Sequence, residues 1–432
     1  MTDHGRYVLG NAVVFDGTTV LQNAAIRVSE GKIESVLSAD TLTRHEDESF
    51  YSLGGRLVLP GLLNAHHHLY SSLAPGIAPK GPTPAFTDIL RQLWWPLDAA
   101  HTRETIYYSA LAGLVAGIKH GVTTVFDHHA SMSLVEGSLD EVARAFEQAG
   151  VKGTLCFEIS ERAGVEEASR HLGENLRFWD KHRHDSDLRG MLGLHANLTL
   201  SNKTLEAVAK RRPDQMPIHV HVGEAPEDLE AARTAGFAGP LARLDHFGLV
   251  DRSSLIIHAI HLAEEDYSVI ENRTPLLVTN PESNANNGVG HLDTRRITRY
   301  LLGTDGMSSD VVAALRFHYL ELKARGESCA HLTDCVLSGC RSAEERMFER
   351  HAGIVPGASA DIAVLDYVPL LPVTRENILE HLVFGAKSGR AYMTIAAGQI
   401  LFRDGKLTFV DEDELRSRLK NAASTLYERF YG

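Results

Sequence analysis

Leu59-Pro60-Gly61-Leu62-Leu63-Asn64-Ala65-His66-His67-His68 decides how this 432-residue chain is read. Alternate residues of a strand point to the same side, so His66 and His68 face one point and His67 faces away. The apolar run Arg56-Leu57-Val58-Leu59 and the Pro-Gly turn place these histidines where a buried strand reaches its C-terminal end. Metal sites are built at such ends. A lone His-x-His is a weak motif, and it gains weight only when other strand ends carry matching residues.

Three runs further along the chain close in the same way. Met216 to Glu224 alternates β-branched residues with His219 and His221, and Glu224 stands just past the strand end. Leu255 to Leu262 carries His258 and His261, and Tyr300-Leu301-Leu302-Gly303-Thr304-Asp305-Gly306 ends in an aspartate within a Gly-rich turn. Neutral imidazole and carboxylate are the donors a zinc-like divalent ion takes. Helical stretches at 226–236 and 264–273 separate the runs, which is the alternation of a parallel sheet. In a closed barrel the strand ends meet, so the pattern predicts an α/β fold, a distorted (β/α)8 barrel with one site at its C-terminal mouth.

The remainder reads as a split second unit. Residues 1–57 and 353–410 share short alternating strands with turns, such as Ala25 to Ser29 before Glu30-Gly31-Lys32 and Gln399 to Phe402, and are expected to form one composite β-sandwich. The barrel then occupies 58–352, and 411–432, with Leu415, Leu419 and Ala422 at helical spacing, is a terminal helix. At 44% hydrophobic and 23% charged the chain is of ordinary globular composition, and a net charge of −13 argues against a nucleic-acid partner. The four cysteines have no zinc-ribbon spacing, no apolar run is long enough for a membrane span, and nothing resembles a signal peptide. A cytoplasmic protein with a small-molecule substrate is the expectation.

The motifs together resemble the amidohydrolase superfamily, in the one-metal branch of cytosine, guanine and S-adenosylhomocysteine-type deaminases and triazine hydrolases. Pro60-Gly61 with His66-x-His68, His221-x-x-Glu224, His258, Asn280-Pro281-Glu282-Ser283-Asn284 and Gly303-Thr304-Asp305-Gly306 stand in that branch's order. Leu93 to Asp98, Tyr107 to Leu111 and Phe126 to Ser131 are similar to the aminohydrolases associated with selenium metabolism (SsnA-type). The resemblance implies His66, His68, His221 and Asp305 as ligands of one divalent metal, zinc before iron or manganese. It favours His221 over the in-register His219, and His258 over His261. It also implies His258 beside the metal-bound water and His195 as a substrate contact, and its family habit is a homo-oligomer. Where nucleoside deaminases carry a glutamate after a proline, this chain has Asp98, so nucleoside specificity is not carried over.

From the residues, Asp305 is expected to take a proton from water, and Glu224 to protonate a ring nitrogen and then the leaving amine. His258 and His195 are expected to donate hydrogen bonds to the developing charge. Asp98, His128 and Trp95 join His195 as candidate substrate contacts, with Trp94 and Trp95 as a lid or stacking platform. His67 and His129 are read as structural. Hydrolytic deamination of an amino-substituted heterocycle is the leading expectation. Ring amide hydrolysis or dechlorination at the same site, and a silent metal-binding relative, are the alternatives.

Overall fold

The computed structural model describes residues 5–386 and 389–432; residues 1–4 and 387–388, which fall within the two expected sandwich segments, lie outside the described residues. Eight parallel strands form the barrel. They are β1 (Leu62–His67), β2 (Val122–His129), β3 (Lys152–Phe157), β4 (Leu188–Gly190 continuing as Leu192–Leu194), β5 (Ile218–Val222), β6 (Leu255–His258), β7 (Leu276–Thr279) and β8 (Leu301–Leu302). They pair in sequence as sheets of four and five, the break falling inside β4 at Met191. Single parallel bridges between Ile159 and Leu194 and between His67 and Asp305 join these sheets on both sides, so the strands close on themselves.

Helices such as Arg103–Ile118, Ser138–Ala149 and Val165–His182 return the chain between strands. They bury leucine, valine and phenylalanine side chains against the barrel in one continuous core. The helical stretches expected at 226–236 and 264–273 appear as Pro226–Thr234 and Glu264–Arg273. Proline at the first turn and acidic residues near the start suit those helix beginnings.

The second unit is a single nine-stranded sheet built from both ends of the chain. Strand Leu57–Pro60 sits in the middle, parallel to Tyr7–Phe15 on one side and antiparallel to Ile362–Leu365 on the other. The hairpin tips at Gly31 and Gly398 come from opposite ends of the strand order, yet a Cβ on Gly398 would lie 2.5 Å from Gly31 Cα. The sheet therefore curls over into a sandwich around one small core that includes Tyr7, Ile26, Val58, Ile362 and Ile395.

This placement corrects the reading of the opening stretch. The apolar run before Pro60 belongs to the outer sheet, and the strand that delivers the histidines is Leu62–His67. A proline cannot donate to a ladder, so the run breaks there and the chain changes sheet. The sandwich segment thus reaches to residue 60 rather than 57. The terminal helix spans Glu412–Tyr431, capped by the Asp411 side chain. Among the described residues no helix is long and apolar enough to cross a membrane.

Candidate active site

Five strand ends deliver the polar cluster. His66 and His68 come from the end of β1, His219 and His221 from β5, His258 from β6, Asp305 from the turn after β8, and His195 follows β4. The alternation in β5 stacks its two histidines in depth: His219 lies below, with its Nε2 2.8 Å from His66 Nδ1, and His221 sits at the mouth. Gly303 lets the end of β8 approach β1, since a Cβ there would fall 2.3 Å from Asn280 Oδ1 and 2.8 Å from His66 Cβ. Asp305 (φ 53°) and His258 (φ 70°) both hold left-handed backbone. Such strain is kept where a side chain must be aimed.

The imidazole nitrogens are sorted by their partners. His68 Nδ1–H donates to the His128 carbonyl at 2.7 Å and His221 Nδ1–H to the His195 carbonyl at 2.9 Å. A carbonyl only accepts, so each ring, when neutral, has its bare nitrogen at Nε2. His258 Nδ1 is 2.8 Å from Asn284 Oδ1, which leaves its Nε2 bare in the same way. Inside the cluster, His68 Nε2 lies 3.1 Å from His221 Nε2 and 3.1 Å from Asp305 Oδ1, and His66 Nε2 lies 3.4 Å from that oxygen. The ligand atoms of His66, His68 and His221 fall within 4.8 Å of one another, as do those of His66, His258 and Asp305.

These residues fit a divalent cation. Nε2 of His66 and of His258 are buried without a hydrogen-bond partner, a condition that buried polar atoms seldom keep. Imidazole nitrogens with one carboxylate form a zinc-type donor set. The electrostatics agree. Burial opposes a charged His68, but Asp305 outweighs it and lifts the imidazole to about 9, whereas burial takes His66 down to about 3. Burial also opposes ionisation of Asp305, yet the His66 and His68 imidazoles beside it hold its carboxyl well below the usual range. The ionised Asp305 thus gives the centre a negative charge that either a cation or a proton on His68 balances.

Glu224 stands beside this centre. Its Oε2 is 3.5 Å from His258 Nε2, and Asn287 Nδ2 donates to Oε1 at 3.4 Å. Burial first, and the nearby Asp305 charge second, push its carboxyl well above the ordinary carboxylate range. Such surroundings favour the protonated form of the carboxyl.

A cleft open to solvent at its mouth lies over the cluster. His68, His195, His221, Glu224 and Asp305 line its floor, and Trp94, Trp95, Phe86 and Leu90 line one wall. Trp94 belongs to a widened, π-helical turn, Leu90–Trp94, of a kind often found at functional sites. Trp95 has a buried indole N–H without a partner.

Two expected substrate contacts lie elsewhere. His128 is fully buried below the cleft with Nε2 3.1 Å from the Leu194 carbonyl, and its own carbonyl is what it gives to His68. Asp98 is buried behind the wall, where its carboxylate takes a hydrogen bond from Arg162. Arg162 also pairs with Glu158 at 2.8 Å, and both of these line the cleft. Burial raises Asp98 to about 8, while Arg162 holds Glu158 low despite its burial. His195 and His258 differ from the donors expected of them. Thr199 passes its own hydroxyl proton to the Ala196 carbonyl and accepts from His195 Nδ1, so both histidines offer an acceptor nitrogen. His67 turns away, as its register requires, and binds Ser309 Oγ.

Sequence reasoning assigned no role to several residues that matter here. Glu158 stands directly after β3, so the strand-end rule that picked His221 reaches it too. Tyr70 lines the cleft two residues past His68. Arg162 carried no signal, being placed by a loop. His219 was weighed only as a ligand, and its contact with His66 makes it a support. Replacing His219 with alanine should keep the ligands but weaken metal retention ~10–100-fold. Competition with a chelator measures this, and unchanged retention would mean that other contacts aim His66.

The amidohydrolase family profile matches residues 57–401, and the chain belongs to that family. Membership makes it a hydrolase with a divalent metal. A curated 5'-deoxyadenosine deaminase of Methanothermobacter thermautotrophicus is 28% identical over 433 residues, covering 96% of this chain and 99% of that one. A 5-methylthioadenosine/S-adenosylhomocysteine deaminase of Thermoanaerobacter pseudethanolicus is 24% identical over 396 residues, covering 87% and 88%. Among solved structures, a zinc-bound adenosine deaminase from Xanthomonas campestris superposes with a TM-score of 0.83 at 24% identity, covering 97% of this chain and 98% of that one. Atrazine chlorohydrolase of Arthrobacter aurescens, in a mutant complexed with zinc and atraton, gives 0.80 at 19% identity, covering 96% and 100%. At these identities the two structures speak to the fold.

Proposed function

We propose that this chain hydrolyses a non-peptide C–N bond, removing the amino group of an amino-substituted heterocycle as ammonia. The observation that carries the reading is the buried Glu224 carboxyl on the cleft floor, 3.5 Å from His258 Nε2, next to the ligand cluster but outside it. A site that only stored a metal would need no such group. His66, His68, His221 and Asp305 would hold the cation. Zinc suits three imidazoles and a carboxylate best, and ferrous and manganous ions accept the same set. Such a cation, when bound, lowers the pKa of water from bulk values to about 7 and so supplies hydroxide at neutral pH.

The chain's own groups do the rest. Asp305, ionised at neutral pH, can accept a proton on its carboxylate. Glu224 gives its proton to a ring nitrogen, and the proton taken up by Asp305 passes to the departing amine, which leaves as ammonia. The bare Nε2 of His195 accepts from an N–H of the substrate, and the tryptophans face a planar ring. The names of the relatives make adenine-type compounds the first to try, while the Arg162 lock on Asp98 keeps other rings in the field.

The test is elemental analysis of the purified protein, followed by an ammonia-release screen over amino-purines, pyrimidines, triazines and guanidino compounds. About one equivalent of metal with ammonia from one of these rings is expected. Metal without ammonia would move the reading to ring opening or another leaving group. No metal after reconstitution would overturn it.

A further inference from the structure

The cleft wall that carries Trp94 and Trp95 is held from outside by the last turn of a helix that never touches the cleft. Residues 72–85 have no helix or strand of their own. The helix Glu412–Tyr431 reaches this segment and its continuation with three consecutive residues. The Tyr431 hydroxyl accepts from Ala78 N–H at 2.9 Å and donates to the Ala78 carbonyl at 2.8 Å. The Lys80 ammonium lies 5.1 Å over the Phe430 ring. Arg429 Nε donates to the Ala100 carbonyl at 2.6 Å. The wall is therefore pinned near both ends, at 78–80 and at 100, with the aromatic stretch between.

Packing carries this hold inward. Phe430, 1% exposed, and Leu426 share one apolar cluster with Tyr70, Leu97 and Ala100, and Trp94 packs against it. Tyr70 and Trp94 both line the cleft, whereas none of residues 429–431 does. Ala78 is exposed, so its peptide group could bind water equally well; using it twice on one hydroxyl fixes a position.

We propose that Arg429, Phe430 and Tyr431 are positioning residues: they clasp the wall shut over the cleft and set the distance between Tyr70 and Trp94. The proposal rests on this cleft being the substrate site, as read above. Opening the clasp at residue 78 would free the wall without disturbing the ligand cluster.

Lys80 supplies a direct readout, because it is the only trypsin-sensitive residue between Arg56 and Arg91. Two of the three tryptophans, Trp94 and Trp95, sit in the same wall. The Tyr431→Phe protein keeps the ring and loses only the hydroxyl. Its metal content and melting temperature should equal the parent's. Cleavage after Lys80 should run ~5-fold faster, and KM for the substrate found by the screen should rise by a similar factor with kcat little changed. Phe430→Ala should give larger changes and greater acrylamide quenching of tryptophan. Unchanged cleavage and KM in the Tyr431→Phe protein would overturn the proposal. Faster cleavage at constant KM would also overturn it, reducing the contact to a surface anchor. If the screen yields no substrate for the parent either, the functional reading has failed separately, and cleavage with quenching still decides whether the clasp holds the wall.

Discussion

Ammonia release by a Glu224→Gln protein should fall ~10²–10⁴-fold while the metal stays at parental stoichiometry. Glutamine keeps the side-chain shape and can still meet Asn287, which now donates to the Glu224 Oε1 at 3.4 Å. It cannot hand over a carboxyl proton. The effect is large because the other imidazoles of the cleft are committed: His195 and His258 spend their N–H groups on Thr199 and Asn284, and His68 would be taken by the cation. Steady-state turnover and elemental analysis on one preparation decide the matter. Normal turnover would show that Glu224 has no proton to give, and loss of metal would make it a ligand.

Asp305→Asn should be more severe, with turnover at background and metal well below stoichiometric after dialysis. Asparagine tolerates the left-handed backbone that position 305 requires, so the fold is spared. What goes is the only carboxylate within 3.4 Å of both His66 and His68 Nε2 among the residues that converge there. The imidazoles then face one another with no negative charge among them. Circular dichroism and metal analysis separate this outcome from misfolding. Retention of full metal would remove Asp305 from the ligand set.

The candidate metal cluster was the most legible part of the chain because strand alternation has a period of two and strand ends have a fixed destination. His66, His68, His221 and Asp305 each stood at such an end, so their convergence followed from the barrel. Depth along a strand was less legible: His219 and His221 share a face, and only packing shows that one supports His66 while the other reaches the cleft. The start of β1 was misread because the apolar residues on both sides of Pro60-Gly61 look alike. His128 lies below the cleft and Asp98 behind its wall, held by the Leu194 carbonyl and by Arg162, partners that no local pattern announces. The cleft wall was unreadable for a general reason. It is loop, and loops are shaped by what they touch rather than by their own periodicity.

The central place of Leu57–Pro60 in the outer sheet has a consequence for how the protein is made. Its neighbour Ile362–Leu365 comes about 300 residues later, and the whole barrel is translated in between. On the ribosome, the opening strands would display an unpaired inner edge for most of synthesis, in a pairing of very high contact order. The sandwich is a seal that can set only after the barrel has emerged, and an arrest before residue 362 would release a nascent chain with its stickiest edge uncovered.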